Sequence, residues 1–238
     1  MYNEGSKVHA NRSEEAMGNL YIAIQGNDIP SVKRIIKDHP NQLTDVNEYG
    51  ITPILYALYT NKPDIAKLLY QAKHTFTIHE CVGMDDLSCV ADILDKAPEK
   101  AMEFSMDGWT PLHLAAFWGH QDMLDMLLKR GAQIDRPSLS DASFGNSPLQ
   151  AAIGKGQVKA VRLLLERGAN VAFSQEPSHL TPLHIAASRS NIEIVQLLLE
   201  WGADPQVMSA DFLTPIDVAK ERNHLEIVQL LESWNKES

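Results

Sequence analysis

Apolar residues recur along the chain in two patterns that both fit helices. A narrow apolar face follows each Thr-Pro or Ser-Pro pair, as in Leu112 with Ala115 and Ala116. A wider stripe follows farther along, as in Val161 with the leucines of residues 163–165, and its spacing is typical of one side of an amphipathic helix. Because Thr and Ser cap helix N-termini and proline fits the first turn, the pattern predicts pairs of short helices. The glycines that would end the second helices are Gly131, Gly168 and Gly202.

The helix-pair pattern repeats along the chain. Four segments align clearly, and they start at Thr110, Ser147, Thr181 and Thr214, which are 37, 34 and 33 residues apart. Weaker copies start near Gly18, Thr52 and Phe76, so that we expect seven repeats. One helix pair cannot bury its own apolar side, and stacking of neighbouring pairs must therefore supply the core.

These segments resemble the ankyrin repeat, whose signature is Thr-Pro-Leu-His-x-Ala at a period near 33. Residues 110–115 and 181–186 carry that signature unchanged. The resemblance implies an all-α solenoid of about seven helix-turn-helix repeats, joined by short hairpin-like fingers such as residues 47–50. We expect this domain to occupy residues 16–238 and the polar residues 1–15 to form a disordered arm.

Two intervals depart from the family pattern. Only 24 residues separate Thr52 from Phe76, which predicts a truncated finger between the second and third repeats, with a gap or a bend there. Residues 136–146 are longer than a normal finger, and we expect Leu139 and Phe144 near the tip of that finger. Insertions of this kind in repeat arrays often lie on the binding face.

Composition favours an acidic intracellular protein. The 238 residues carry a formal net charge of −10, which disfavours nucleic acid as a partner. Residues 1–16 show no apolar signal segment, and no basic amphipathic helix predicts membrane binding. Two cysteines suit a reducing compartment. We expect a cytoplasmic location, with delivery into a host cell left open.

Catalytic chemistry has little support in the sequence. The resemblance implies that His113 and His184 form hydrogen bonds between repeats. A metal-like cluster occurs in the third repeat at His79, Cys81, Asp85, Asp86 and Cys89, but both cysteines fall on apolar positions of the repeat. We therefore expect no cofactor, no metal and no enzyme activity. A hydrolase that uses His79, Asp85 and Asp86 is the alternative from another class.

The resemblance also indicates where a partner would bind, namely a concave groove lined by fingertips and by the ends of the first helices. The residues at those positions form an aromatic and Met patch followed by a basic row. The patch consists of Tyr49, Tyr59, Met84, Trp109, Phe117 and Trp118, and Phe144 of the longer finger is a further candidate. The basic row consists of Lys155, Arg189 and Arg222. Trp, Tyr and Arg are enriched at interface hot spots.

Two other interpretations of these residues stay open. Phe117 and Trp118 could pack beneath a neighbouring finger, and the basic row could pair locally with Glu193 or Glu221. The acidic stretch from Asp85 to Asp107 fits a solvated surface, with a contact to a basic partner as the alternative.

The functional prediction is a non-catalytic protein-protein interaction module that acts as an adaptor, scaffold or inhibitor. Its partner would carry an apolar anchor and an acidic segment. We expect the chain to be monomeric alone, and a permanently docked subunit of a larger complex is the alternative.

Overall fold

The computed structural model describes residues 20–139, 145–174 and 177–237 of the chain. Within these ranges all regular secondary structure is helical. The chain divides into two compact units, Met1–Asp86 and Leu87–Ser238, and each is described by itself. The predicted N-terminal arm and Phe144 lie outside the described residues.

The first unit contains a short helical segment at residues 20–25 and four further described helices. These are α1 (Ile29–Asp38), α2 (Pro53–Tyr59), α3 (Pro63–Ala72) and α4 (Ile78–Gly83), with a 3₁₀ helix at Pro40–Thr44. Helix α3 packs against α1 and α2, and α2 also packs against α4. The core between them includes Leu20, Ile24, Ile54, Ile65 and Leu69, each almost fully buried.

The second unit is a stack of helix pairs. It comprises α5 (Leu87–Lys96), a 3₁₀ helix (Pro98–Met102), α6 (Pro111–Trp118), α7 (Gln121–Lys129), α8 (Pro148–Lys155), α9 (Val158–Glu166), α10 (Pro182–Ser188), α11 (Ile192–Glu200), α12 (Pro215–Glu221) and α13 (Leu225–Glu237). The first helices α6, α8, α10 and α12 contact one another in that order, and so do the second helices α7, α9, α11 and α13. The stacking predicted from the apolar pattern is therefore present within this unit.

Threonine and serine start the first helices as predicted. The Thr110 side chain accepts a hydrogen bond from the backbone N–H of His113, and Ser147 does the same for Gln150. The side chain of the third helical residue returns a bond to the cap, so that each start is a capping box. In the irregular third repeat the N-cap is Thr77, one residue later than the start near Phe76.

The histidines of the signature join a first helix to the next finger, as the resemblance implies. The backbone N–H of Thr110 donates to Nδ1 of His113, so the opposite nitrogen Nε2 donates to the carbonyl of Asn146 at 2.8 Å. His184 makes the same bond to the carbonyl of Leu213 at 2.9 Å. Burial lowers the pKa of His113 to about 4 and also lowers that of His184. Both imidazoles are therefore neutral at physiological pH.

Other residue types fill the same fourth position where the surroundings differ. Gln150 donates to the carbonyl of Leu180 at 3.0 Å, and the Tyr21 hydroxyl donates to that of Ile51 at 2.7 Å. Burial raises the pKa of Tyr21. In the second repeat the position is occupied by the buried Leu55. An apolar residue fits there, because the finger that would supply a carbonyl is the truncated one.

The truncated finger is confirmed. Only the five residues Lys73–Thr77 connect α3 to α4, whereas residues 39–52 connect α1 to α2. First helices α2 and α4 still contact each other, so there is no gap between them. The short connection instead contains a buried ion pair between Lys73 and Glu80.

The longer finger lies between α7 and α8, as predicted. The backbone N–H of Ser138 donates to the carbonyl of Asn146 at 3.0 Å, which joins the two arms of the finger. Leu139 is 67% exposed. Its N–H donates to the carbonyl of Gly108 in the preceding finger. These two fingers are therefore linked to each other as well as to the helices.

Candidate functional site

Three of the predicted aromatic residues lie together in the second unit. The ring centroids of Trp109 and Phe117 are 5.3 Å apart, and those of Phe117 and Trp118 are 5.7 Å apart, both in edge-to-face geometry. Trp109 precedes the N-cap of α6, whereas the other two end that helix. All three are partly buried. We call Trp109, Phe117 and Trp118 the aromatic cluster.

Lys155, the first residue of the basic row, lies against this cluster. The Nζ atom of Lys155, the last residue of α8, lies 4.6 Å from the centroid of the Phe117 ring. This is within the range of a cation–π interaction, in which the ring face attracts the ammonium group. The Lys155 side chain remains exposed. A cation and an aromatic surface are therefore presented side by side.

The close fit of α6 and α8 fixes this arrangement. Gln157 follows α8 and its Nε2 donates to the carbonyl of Phe117 at 3.2 Å. Gly119 ends α6 with φ of 80°, and a Cβ built on it would lie 2.6 Å from Oε1 of Gln157. Glycine at this position therefore allows both the left-handed turn and the approach of Gln157.

The other two cations lie at the corresponding helix ends. Arg189 is the C-cap of α10 and Arg222 is the C-cap of α12, and both side chains are exposed. Because α8, α10 and α12 contact in order, the three helix ends that carry these cations should be about 10 Å apart. Among the residues that the structure describes, neither arginine forms an ion pair. The alternative of local pairing with Glu193 or Glu221 is therefore not found.

The remaining predicted residues belong to the first unit. Tyr49 is 68% exposed at a fingertip, and Tyr59 is the last residue of α2 and partly buried. Met84 follows α4 and packs against the hydrophobic core of that unit. Met84 therefore contributes to the core of this unit, which its assignment to the predicted groove did not include.

The structure also exposes apolar residues that the sequence interpretation missed. Phe212 is 82% exposed and Met208 is 58% exposed, both in the finger between α11 and α12. Alignment of the repeats with one another contains a signal for Phe212. Phe212 lies two residues before the N-cap Thr214, and at the same distance before Thr52 and Thr110 the residue is glycine, Gly50 and Gly108.

The alternative chemical site in the third repeat is not assembled as a metal centre. Among the described residues no group of three or more His, Cys, Asp or Glu side chains could hold a metal ion. Asp86 accepts a hydrogen bond from the Tyr70 hydroxyl at 2.9 Å, and His79 is buried. Cys81 is fully buried, as its apolar position in the repeat predicts. Neither cysteine is a free thiol, which corrects the expectation of reduced cysteines.

No helix of the described chain has the length and apolar character that crossing a membrane requires.

Comparison with protein families decides the relationship. The model for ankyrin repeats matches the chain at residues 20–138, 136–209 and 173–237. The chain belongs to the ankyrin-repeat family. Ankyrin repeats are modules for protein-protein interaction, and the extended surface of such stacks is what provides the binding area.

Individual relatives share only part of their length with the chain. The B-cell lymphoma 3 protein homolog of Mus musculus is 34% identical over 167 residues, which are 64% of this chain and 37% of that protein. The B-cell lymphoma 3 protein of Homo sapiens is 30% identical over 149 residues, 56% of this chain and 32% of that protein. Serine/threonine-protein kinase VIK of Arabidopsis thaliana is 34% identical over 98 residues, 41% of this chain and 21% of that protein. The chain thus spans about a third of the first two relatives.

Proposed function

We propose that this ankyrin-repeat chain is a non-catalytic adaptor, scaffold or inhibitor that acts by binding another protein. The observation that carries the proposal is the contact between Lys155 and Phe117, 4.6 Å from ammonium to ring centroid. It places a solvent-exposed cation beside the partly exposed aromatic cluster. Among the described residues no carboxylate forms an ion pair with Lys155.

The partner chemistry follows from this pairing. An apolar side chain of the partner would pack on the aromatic cluster, where Trp has the large, weakly hydrated surface typical of hot spots. Carboxylates of the same partner would then face Lys155, Arg189 and Arg222. An acidic segment suits this row, because the rest of the protein is acidic and repels such a segment elsewhere.

The first unit contributes candidates of its own. Tyr49 is an exposed fingertip and Tyr59 ends a first helix, so both occupy positions at which ankyrin repeats meet partners. Met84 is a weaker candidate, because part of its surface is already used in the core. The inserted finger adds exposed Leu139. The disulfide-bonded cysteines remove the argument from reduced thiols for a cytoplasmic location. We propose a monomeric state for the isolated chain.

The test uses a partner isolated by affinity purification on the intact chain and identified by mass spectrometry. The purified partner is then titrated against Trp118→Ala, Arg189→Glu and the control Trp201→Ala. Trp201 is a 43% exposed tryptophan that follows a second helix, α11, and is therefore a matched aromatic outside the cluster.

We expect Trp118→Ala to weaken binding by about 2 kcal/mol, the loss typical of a hot spot. Arg189→Glu should weaken association and reduce its dependence on salt, because a steering cation is replaced by an anion. Trp201→Ala should bind as the wild type does. Unchanged affinity in both Trp118→Ala and Arg189→Glu, with thermal melts that show intact folding, would refute the proposed surface.

A further inference from the structure

The first unit contains an open cavity lined by the helical segment of residues 20–25, by α1 and by the 3₁₀ helix that follows α1. Its volume is about 550 Å³, which lies in the range of small-molecule sites. Part of its wall is apolar and includes the exposed Ile22 and the buried Ile35. None of the described residues of the proposed protein-binding surface lines this cavity.

One residue of the cavity is a buried amide with an unused acceptor. Gln42 lies in the 3₁₀ helix and is only 5% exposed. Its backbone N–H donates to the carbonyl of His39 at 3.0 Å, which fixes its place in the wall. Its side-chain Oε1 is buried and accepts no hydrogen bond from the described chain. Buried carbonyl groups in proteins usually have a donor, so this one requires an explanation.

Two further acceptors of the cavity are close to Gln42 in the chain. Asp38 ends α1 and His39 is the C-cap of that helix, and both side chains are exposed. Among the described residues Asp38 forms no ion pair, and the His39 imidazole forms no hydrogen bond. A neutral imidazole has one acceptor nitrogen. Asp38, His39 and Gln42, which we call the acceptor cluster, therefore offer three acceptors and a negative charge.

The cation that lines the cavity interacts elsewhere. Arg34 donates from Nη2 to Oγ of Ser31 at 3.5 Å. Hydrogen bonds from Ser31, together with the charge of Arg34, lower the pKa of Asp28. Asp28 is the N-cap of α1 and Asp38 its last residue, and a helix of this length spans about 15 Å. Arg34 is therefore engaged toward the opposite end of α1 from the acceptor cluster.

An ammonium group matches the acceptor cluster, because it carries one positive charge and three N–H donors. The terminal torsion of a glutamine side chain is broad, so Oε1 of Gln42 can turn toward such a cation. We infer that the cavity binds a small alkylammonium molecule. Its ammonium group bonds to the acceptor cluster, and its alkyl chain packs on Ile22 and Ile35. This inference goes beyond the proposed function, because the ligand is a small molecule and the site is a different one.

The test is isothermal titration calorimetry of the intact chain with n-pentylamine. Two further probes identify what is recognised, namely n-pentanol, which lacks the charge, and N-acetyl-lysine N-methylamide, which represents a lysine of a protein. The variants are Gln42→Met, which keeps the length of the side chain without the carbonyl, and Asp38→Asn, which removes the charge. Asp64→Asn is the matched control, since Asp64 is an exposed carboxylate of α3 that does not line the cavity.

We expect n-pentylamine to bind wild type and Asp64→Asn equally. It should bind Gln42→Met and Asp38→Asn about tenfold more weakly, the change that loss of one hydrogen bond to a charged group produces. The alcohol should also bind wild type about tenfold more weakly than the amine, and the lysine derivative no more tightly than the amine. Gln42→Met should melt no lower than wild type, because it removes an unpaired buried acceptor.

Four results would overturn the inference. These are no saturable binding of n-pentylamine, equal affinity for n-pentanol, unchanged affinity in both Gln42→Met and Asp38→Asn, or tighter binding of the lysine derivative, which would assign the site to a protein side chain. If Gln42→Met does not fold, Asp38→Asn decides alone, because Asp38 is exposed and its replacement leaves the core intact. None of these measurements involves the residues of the proposed protein-binding surface.

Discussion

The ammonium group of Lys73 lies 2.7 Å from Oε1 and 2.8 Å from Oε2 of Glu80, and both side chains are buried. Glu80 occupies the fourth position of its repeat, where His113 bonds to the next finger, and its Oε2 also accepts from the N–H of Thr77. The ion pair thus bridges the connection from which the finger is missing. It stabilises the helix start and the short link together.

Removing only one partner of this ion pair should lower the free energy of unfolding more than replacing both partners. Glu80→Gln keeps a side chain able to accept from Thr77, as Gln150 does in its own repeat, but leaves the Lys73 ammonium buried without a carboxylate. We expect a loss of about 3 kcal/mol in unfolding free energy, as for other buried pairs with one partner removed. The double variant Lys73→Met/Glu80→Gln should be more stable than Glu80→Gln alone. Urea unfolding measures both, and a double variant less stable than Glu80→Gln would show that the buried charge is not the cause.

His113 should make stability dependent on pH. Its pKa is about 4 in the folded chain, against an ordinary value of 6.5, so between these values the unfolded chain binds the extra proton. The free energy of unfolding therefore falls as the pH is lowered from about 6.5 to about 4, by up to about 3 kcal/mol for this group, and its full contribution is present above that range.

His113→Gln tests this sign. Glutamine can keep both hydrogen bonds, as Gln150 shows at the same position, but it does not titrate. We expect nearly wild-type stability at neutral pH and a shallower loss on acidification in urea unfolding measured at several pH values. Gln150→His is the converse variant and should steepen the loss. An unchanged pH profile in both variants would contradict the assignment.

Gly119 should tolerate alanine less well than Gly131 does. Both have a positive φ, but a Cβ at Gly131 would meet nothing within 4 Å, whereas one at Gly119 would meet the side chain of Gln157. Each substitution should cost about 1 kcal/mol for the left-handed backbone. Gly119→Ala should lose about 1 kcal/mol more, because Gln157 must move away from the carbonyl of Phe117. Thermal unfolding of the two variants gives the comparison, and equal losses would mean that the Gln157 contact is not limiting.

Much of this fold could be predicted from local pattern together with the resemblance to the ankyrin repeat. The Thr and Ser caps follow from residue type at a fixed register. The truncated finger and the inter-repeat bonds of His113 and His184 were implied by the resemblance. The role of Met84 follows from neither, because its packing depends on how closely α4 approaches the core across the shortened link. The disulfide state of Cys81 and Cys89 was missed because each residue also fits an apolar position.

The sequence predicts which residues belong to the candidate site, but not which of their side chains touch. Helix register placed Phe117, Trp118 and Lys155 at corresponding ends of their helices, yet the stacking of the ammonium on the Phe117 ring depends on rotamers that no sequence pattern specifies. Phe212 could have been found by comparing the tips of successive fingers rather than the helices, since only the tip position shows the change from glycine.

Different residue types at the fourth position of a repeat form the same kind of hydrogen bond to the following finger. Tyr21, Gln150 and the two histidines all donate to a carbonyl of the following finger, but only the imidazoles gain a proton at acidic pH. A protonated imidazole still donates from Nε2, but it is a buried charge whose Nδ1 can no longer accept from the threonine N–H. Acidification therefore destabilises the two repeats that contain His113 and His184, while the bonds of Tyr21 and Gln150 are unaffected. Replacing a glutamine at this position with histidine would make the stability of one repeat sensitive to acid and would keep the same hydrogen bonds at neutral pH.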